Sequence, residues 1–127
     1  MPQVAIIRCE KNSDKCPLTS CLASLDSGKG AFEVHQDKCT LSGVFTCRCP
    51  GDAITELATI LKNKGAEYIH FCTCTFATKT DDGWRMDNGG FCASIDNIIE
   101  RTYNEVGISC VKGTAHLPKD YIVQMWE

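Results

Sequence analysis

The stretch GVFTCRCPGDAITELATILKNKGAEYIHFC, residues 43 to 72, carries two apolar runs with an amphipathic segment between them. TLSGVFTC, residues 40–47, reads as a strand, although Gly43 weakens its first half. PGDAITELATILKNKG follows at 50–65. Ile54, Leu57, Ala58 and Leu61 fall on one stripe at helical spacing, Asp52 and Glu56 sit early, lysines sit late, and Gly65 supplies a stop. AEYIHFCTC then gives a strand ending near Cys72. Strand, helix and strand at these lengths make a right-handed crossover between two parallel strands.

The alternation continues in both directions. VAIIRC, residues 4–9, reads as a buried strand of a parallel sheet. CPLTSCLASLDSG, residues 16–28, predicts a helix with Pro17 at its first position, Leu18, Leu22 and Leu25 on one face, and Gly28 as its stop. Downstream, FCASIDNIIERTYNEVG (91–107) restores the helical spacing through Ile95, Ile98, Ile99 and Val106. ISCVKGTAH (108–116) is a fourth strand, and YIVQMW (121–126) adds a fifth short element. Residues 75–90, TFATKTDDGWRMDNGG, hold no period and predict a long loop covering a site. The expected architecture is one α/β domain over residues 1–127, an open three-layer fold with a mainly parallel sheet of four or five strands.

Composition narrows the partners. Hydrophobic residues make up 43% of the 127 and charged residues 23%, with a net charge of -3, which disfavours nucleic acid and anionic membranes. The opening MPQVAIIRCE is too short and too poorly flanked to be a secretory signal, and no later stretch reaches membrane-spanning length, so a cytoplasmic protein is expected. Ten cysteines are the outlying number. In a reducing compartment a crowd of thiols serves as metal ligand or catalyst more often than as disulfide staple.

Crossover topology sorts those thiols by sheet edge. Cys9, Cys47 and Cys72 fall at the carboxyl ends of predicted strands, and Cys16, Cys49 and Cys92 at the starts of predicted helices, which lie along the same edge. His116, ending the fourth strand, points there too. These seven are the candidate metal ligands. Cys39 and Cys110 belong to the opposite edge and read as small buried residues, while Cys21 and Cys74 stay unassigned. Helix N-termini lower thiol pKa values, thiolates repel one another, and a bound cation removes that repulsion, contributing on the order of 10 kcal/mol in structural zinc sites. Arg8 and Arg48 flank the cysteines and could offset thiolate charge or bind an anion.

The order IIRC, CP, GKGAFE, a cysteine pair followed by PG and a helix, a strand ending in cysteine, and GTAH resembles the CGGC-domain family over residues 4–118. That resemblance implies a small prokaryotic protein whose clustered cysteines and histidine bind zinc. Where CGGC would stand, this chain has Thr46-Cys47-Arg48-Cys49, which shortens C-x-x-C to C-x-C.

Zinc is therefore the favoured cofactor, with an iron-sulfur cluster as the alternative, since both take four thiolates. A thiol-disulfide oxidoreductase using Cys47 and Cys49 is a further reading. A nucleotide-binding or hydrolytic enzyme is disfavoured because no glycine-rich phosphate loop follows any strand. Among residues with blander readings, His70 is expected to be a hydrogen-bonded core histidine, His35 solvated, Asp81 and Asp82 a surface turn, and Trp84 a shield over the site.

Overall fold

A computed structural model describes residues 1–127. In chain order the strands are β1 (Gln3–Cys9), β2 (Thr40–Cys47), β3 (Tyr68–Phe71), β4 (Thr78–Thr80), β5 (Gly83–Arg85), β6 (Ser109–Lys112) and β7 (Gln124–Trp126), and the helices are α1 (Thr19–Ser27), α2 (Ile54–Asn63) and α3 (Ile95–Val106). Five strands form one sheet in the order β2-β1-β3-β6-β7, parallel except for β7. The expected open α/β domain with a mainly parallel sheet is the fold observed.

Handedness distributes the helices. From β1 the chain crosses to β2 on one side, and from β2 it returns past β1 to β3 and then onward to β6. Right-handed crossovers running in opposite directions must lie on opposite faces of the sheet. Accordingly Val4 and Ile6 pack with Leu18, Leu25 and Phe32 on the α1 face. Ala5, Ile7, Ile69 and Phe71 pack with Ile54, Ala58, Leu61, Ile95, Ile98 and Ile99 from α2 and α3 on the other. Each fully buried Ile or Leu contributes roughly 1.5–3 kcal/mol. The crossover direction reverses between β1 and β3, and the carboxyl ends of those two strands flank the crevice where open α/β sheets gather ligands.

Both proline-led helices start later than their sequences predict. In α1 the first helical residue is Thr19, because Leu18 takes a left-handed conformation (φ 67°) that turns its side chain into the core, leaving Pro17 outside the helix. Cys16 precedes a proline and is itself biased away from helix. Leu22, expected on the buried face, is 38% exposed. In α2 the helix begins at Ile54, and residues 48–53 form two successive turns through Gly51 N–H to Arg48 O and Ile54 N–H to Gly51 O. Gly51 has φ +90°, and a Cβ there would lie 2.9 Å from Ile98 Cδ1. Cys16, Cys49 and Cys92 therefore sit on the turns leading into helices rather than in first helical turns.

Residues 75–90 are not a plain loop. They fold into the antiparallel hairpin β4–β5, with Lys79 opposite Trp84 and Asp81 and Asp82 exposed at its turn. The fourth strand stops at Lys112, so His116 lies four residues past it, exposed and with φ 54°. No helix is long and apolar enough to cross a membrane.

Candidate functional site

Pleating decides where the edge cysteines point. Alternate residues of a strand face opposite sides, so Cys9 follows Ile7 onto the face of α2 and α3, and Cys47 follows Phe45 onto the same face. Their backbones are register partners at the ends of the paired strands β1 and β2. Cys72 comes one residue after Phe71 and so turns to the α1 face, where it packs with Val4, Ile6 and Leu18. The six edge thiols thus divide between two cavities on opposite faces.

The first cavity, about 260 Å³, is lined by Cys9, Cys47, Cys49 and Cys92, with Ile7, Phe71 and Ile98 as its apolar floor and Arg8 and Lys11 also on its wall. Cys9 is buried, Cys47 and Cys92 are half-buried, and Cys49 is exposed. Hydrogen bonds hold the contributing loops. Cys49 N–H donates to Glu10 Oε2 at 3.1 Å, Cys92 N–H to Thr75 O at 3.0 Å, and Lys11 Nζ to Phe91 O at 3.3 Å. Burial pushes the Cys47 thiol up to about 11, and Cys92, Cys9, Cys49 and Glu10 add to the rise by repulsion. Cys9 is raised for the same leading reason. Ionising several of these thiols together is unfavourable unless a cation enters.

The second cavity, about 710 Å³, lies on the α1 face and is lined by Cys16, Cys21, Cys72 and Cys74, with Thr114, Trp84 and His116. The indole of Trp84 stacks on the His116 ring at 5.2 Å, with the planes 6° apart. Cys21 Sγ lies 3.1 Å from Thr114 Oγ1. Thr114 and Thr73 clamp the walls reciprocally: Thr114 N–H donates to Thr73 Oγ1 at 3.0 Å, and Thr73 N–H donates to Thr114 Oγ1 at 3.3 Å. Cys21 and Cys74 pack against the apolar cluster that holds the buried Cys72. Cys21 is lowered to about 6, first by the hydrogen bond from Cys72, with Thr114, the Ala115 backbone and the Arg8 charge acting in the same direction against burial. Cys72 is raised well above its ordinary value because its proton is held by those neighbours. Arg8 is itself fixed, with its Nη2 donating to the carbonyls of Asn12, Ser13 and Cys16.

Of the seven candidate ligands, Cys9, Cys47, Cys49 and Cys92 thus line one cavity, and Cys16, Cys72 and His116 the other. In neither are three Cys, His, Asp or Glu side chains drawn together tightly enough to hold an ion. The first cavity nevertheless fits a soft cation by donor type: four sulfurs around one space, and a mutual repulsion that a cation would relieve. Nothing in GTAH marks Thr114 as a thiol partner. Cys21 and Cys74 were visible in the sequence but not placeable.

The remaining expectations are answered by burial. Cys39 and Cys110 are buried as small apolar residues. His70 is fully buried and bonded, with its Nδ1 2.9 Å from Gly113 O. His35 is not solvated. It is half-buried, with its Nε2 2.8 Å from Nε2 of His70, because the turn of 3-10 helix at Gly30–His35 folds it back onto β3. All ten cysteines are free thiols.

The family model described as CGGC domain matches residues 3–115 of the chain. No curated protein and no solved structure matches it.

Proposed function

Because the chain belongs to the CGGC-domain family, we propose that it is a metal-binding protein whose ion is held in the first cavity by Cys9, Cys47, Cys49 and Cys92. The observation that carries this reading is the gathering of four thiols, from the ends of β1 and β2 and from the loop before α3, around one apolar-floored space. Zinc is the favoured ion, since the family resemblance points to it and four sulfur donors suit tetrahedral Zn²⁺. Cysteine-rich character and a reducing compartment such as the cytoplasm agree with it.

When bound, the ion would supply a Lewis-acid or redox centre. The chain's own part is to deliver two sulfurs from adjacent parallel strands, to hold Cys49 through its backbone bond to Glu10, and to keep water off the inner side with Ile7, Phe71 and Ile98. Lys11 on the wall partly offsets an excess of negative charge at a four-thiolate centre.

Anaerobic purification followed by elemental analysis and a visible spectrum tests the reading. About one zinc per chain, lost when Cys47 or Cys92 is replaced by serine, is the expected result. Brown protein containing iron and sulfide would replace zinc with an iron-sulfur cluster on the same thiols. Metal-free protein with a reducible Cys47–Cys49 bond would overturn metal binding in favour of dithiol exchange at that pair.

A further inference from the structure

The second cavity is chemically unlike the first. Its buried Cys72 lines one space with Cys21 and Cys74, and the Thr114 hydroxyl lies against Cys21. Cys21 and Cys74 are half-buried, while Cys72, lining the same cavity, is only 1% exposed. An accessible nucleophile with a shielded thiol beside it is the pairing that thiol-disulfide exchange uses, one sulfur attacking and the other resolving. The walls add a charge preference. Lys15 and Lys79 line the cavity, Arg8 acts on Cys21, and no aspartate or glutamate lines it. Its size, about 710 Å³, suits a small molecule rather than a protein surface.

We propose that the second cavity is a disulfide-exchange site for a small, carboxylate-bearing disulfide, with Cys21 as the attacking sulfur and Cys72 as the resolving one. In the first step the Cys21 thiolate attacks one sulfur of R–S–S–R, a Cys21–S–S–R bond forms, the substrate bond breaks, and RS⁻ leaves and takes a proton from water. In the second step Cys72 gives up its proton to solvent and attacks the Cys21 sulfur, forming the Cys21–Cys72 bond and releasing the second RS⁻. The balance is R–S–S–R plus two protein thiols giving two R–SH and one protein disulfide. The substrate gains the two electrons that the cysteines lose, and no other oxidant is needed. Lys15 and Lys79 bind the carboxylates. The Trp84–His116 stack stands on the wall.

The experiment uses the full chain, purified with its metal and reduced, and one equivalent of oxidised glutathione at pH 7. Released thiol is counted and the peptides are mapped by mass spectrometry. Two thiols released and a Cys21–Cys72 crosslink are expected. Cys72→Ser should stop after one thiol, with glutathione attached at Cys21. Cys21→Ser, at a half-buried position, should slow release at least tenfold while circular dichroism stays unchanged. Lys15→Glu with Lys79→Glu should slow the reaction with oxidised glutathione severalfold at low salt and leave that with uncharged hydroxyethyl disulfide unchanged. Glutathione attached first at Cys49 or Cys16, or a crosslink that omits Cys21, would overturn the assignment. Equal effects of the double lysine change on both disulfides would overturn the substrate class. Metal content is read separately, so loss of zinc binding and loss of exchange remain distinct results.

Discussion

Acid should loosen this fold through one side chain, His70. It lies fully buried in β3 with Phe32 stacked on its ring at 4.2 Å. Its Nδ1–H donates to Gly113 O, so Nε2 is left as an acceptor for the Nε2–H of His35. A second proton has to displace that bond in a space closed to water, and burial lowers the His70 pKa from 6.5 to about 3. The folded state therefore refuses a proton that the unfolded chain accepts below about pH 6.5. The stabilisation is complete above that pH and is lost as pH falls from about 6.5 toward 3, at about 1.4 kcal/mol per unit. From pH 6.5 to 4.5 the loss is on the order of 2–3 kcal/mol, or roughly 10 °C in Tm for a chain of this length. The assay is urea unfolding at several pH values in constant salt, with reductant and chelator present, on the natural chain and on His70→Asn, whose amide can still donate to Gly113. The variant should be less stable throughout and have a shallower pH slope over that range. Parallel slopes, or a His70 ring titrating near 6.5 by NMR, would refute the reasoning.

Three other outcomes follow from the geometry. A Cβ at Gly90 would stand 2.4 Å from Cys74 O and 2.6 Å from Phe76 N, backbone atoms that cannot yield, so Gly90→Ala should cost more than about 2 kcal/mol and lower metal content by displacing Cys92; Gly89→Ala, with φ +68° and open space, should cost only about 1 kcal/mol in the same denaturation series. Cys39→Ser should leave metal content unchanged and Cys47→Ser should lower it, as read by elemental analysis, because Cys39 is buried on the α1 face just before β2. Thr114→Val removes an oxygen that Cys21 and the Thr73 N–H both use, so it should cost about 1–3 kcal/mol and slow alkylation of Cys21 by iodoacetamide at pH 7.

The alternation of apolar runs with amphipathic segments made the layers and the parallel sheet legible, because burial on two faces imposes that pattern directly. The sheet edge that receives Cys9, Cys47 and Cys72 was legible as well, for it depends only on chain direction. The face was not. Cys9 and Cys72 both end strands, yet one continues the parity of Ile7 and the other breaks that of Phe71, and which parity meets α1 is settled only by packing. The helix starts were misplaced because Pro17 and Pro50 do favour first turns, whereas Leu18 and Gly51 adopt positive φ for tertiary reasons. Strands of three residues, β4 and β5, are too short to show alternation. The contact of His35 with His70, 35 positions apart, has no local signature at all.

Phe91 lines both cavities, its N–H bonded to Cys74 O, and the next residue, Cys92, turns its sulfur to the first cavity with its own N–H on Thr75 O. One peptide unit is thus a party wall between two chambers of sulfur chemistry. Whatever draws Cys92 inward tugs on the strap that carries Cys74, so neither chamber can be remodelled, by evolution or by an engineer, as if its neighbour were not there.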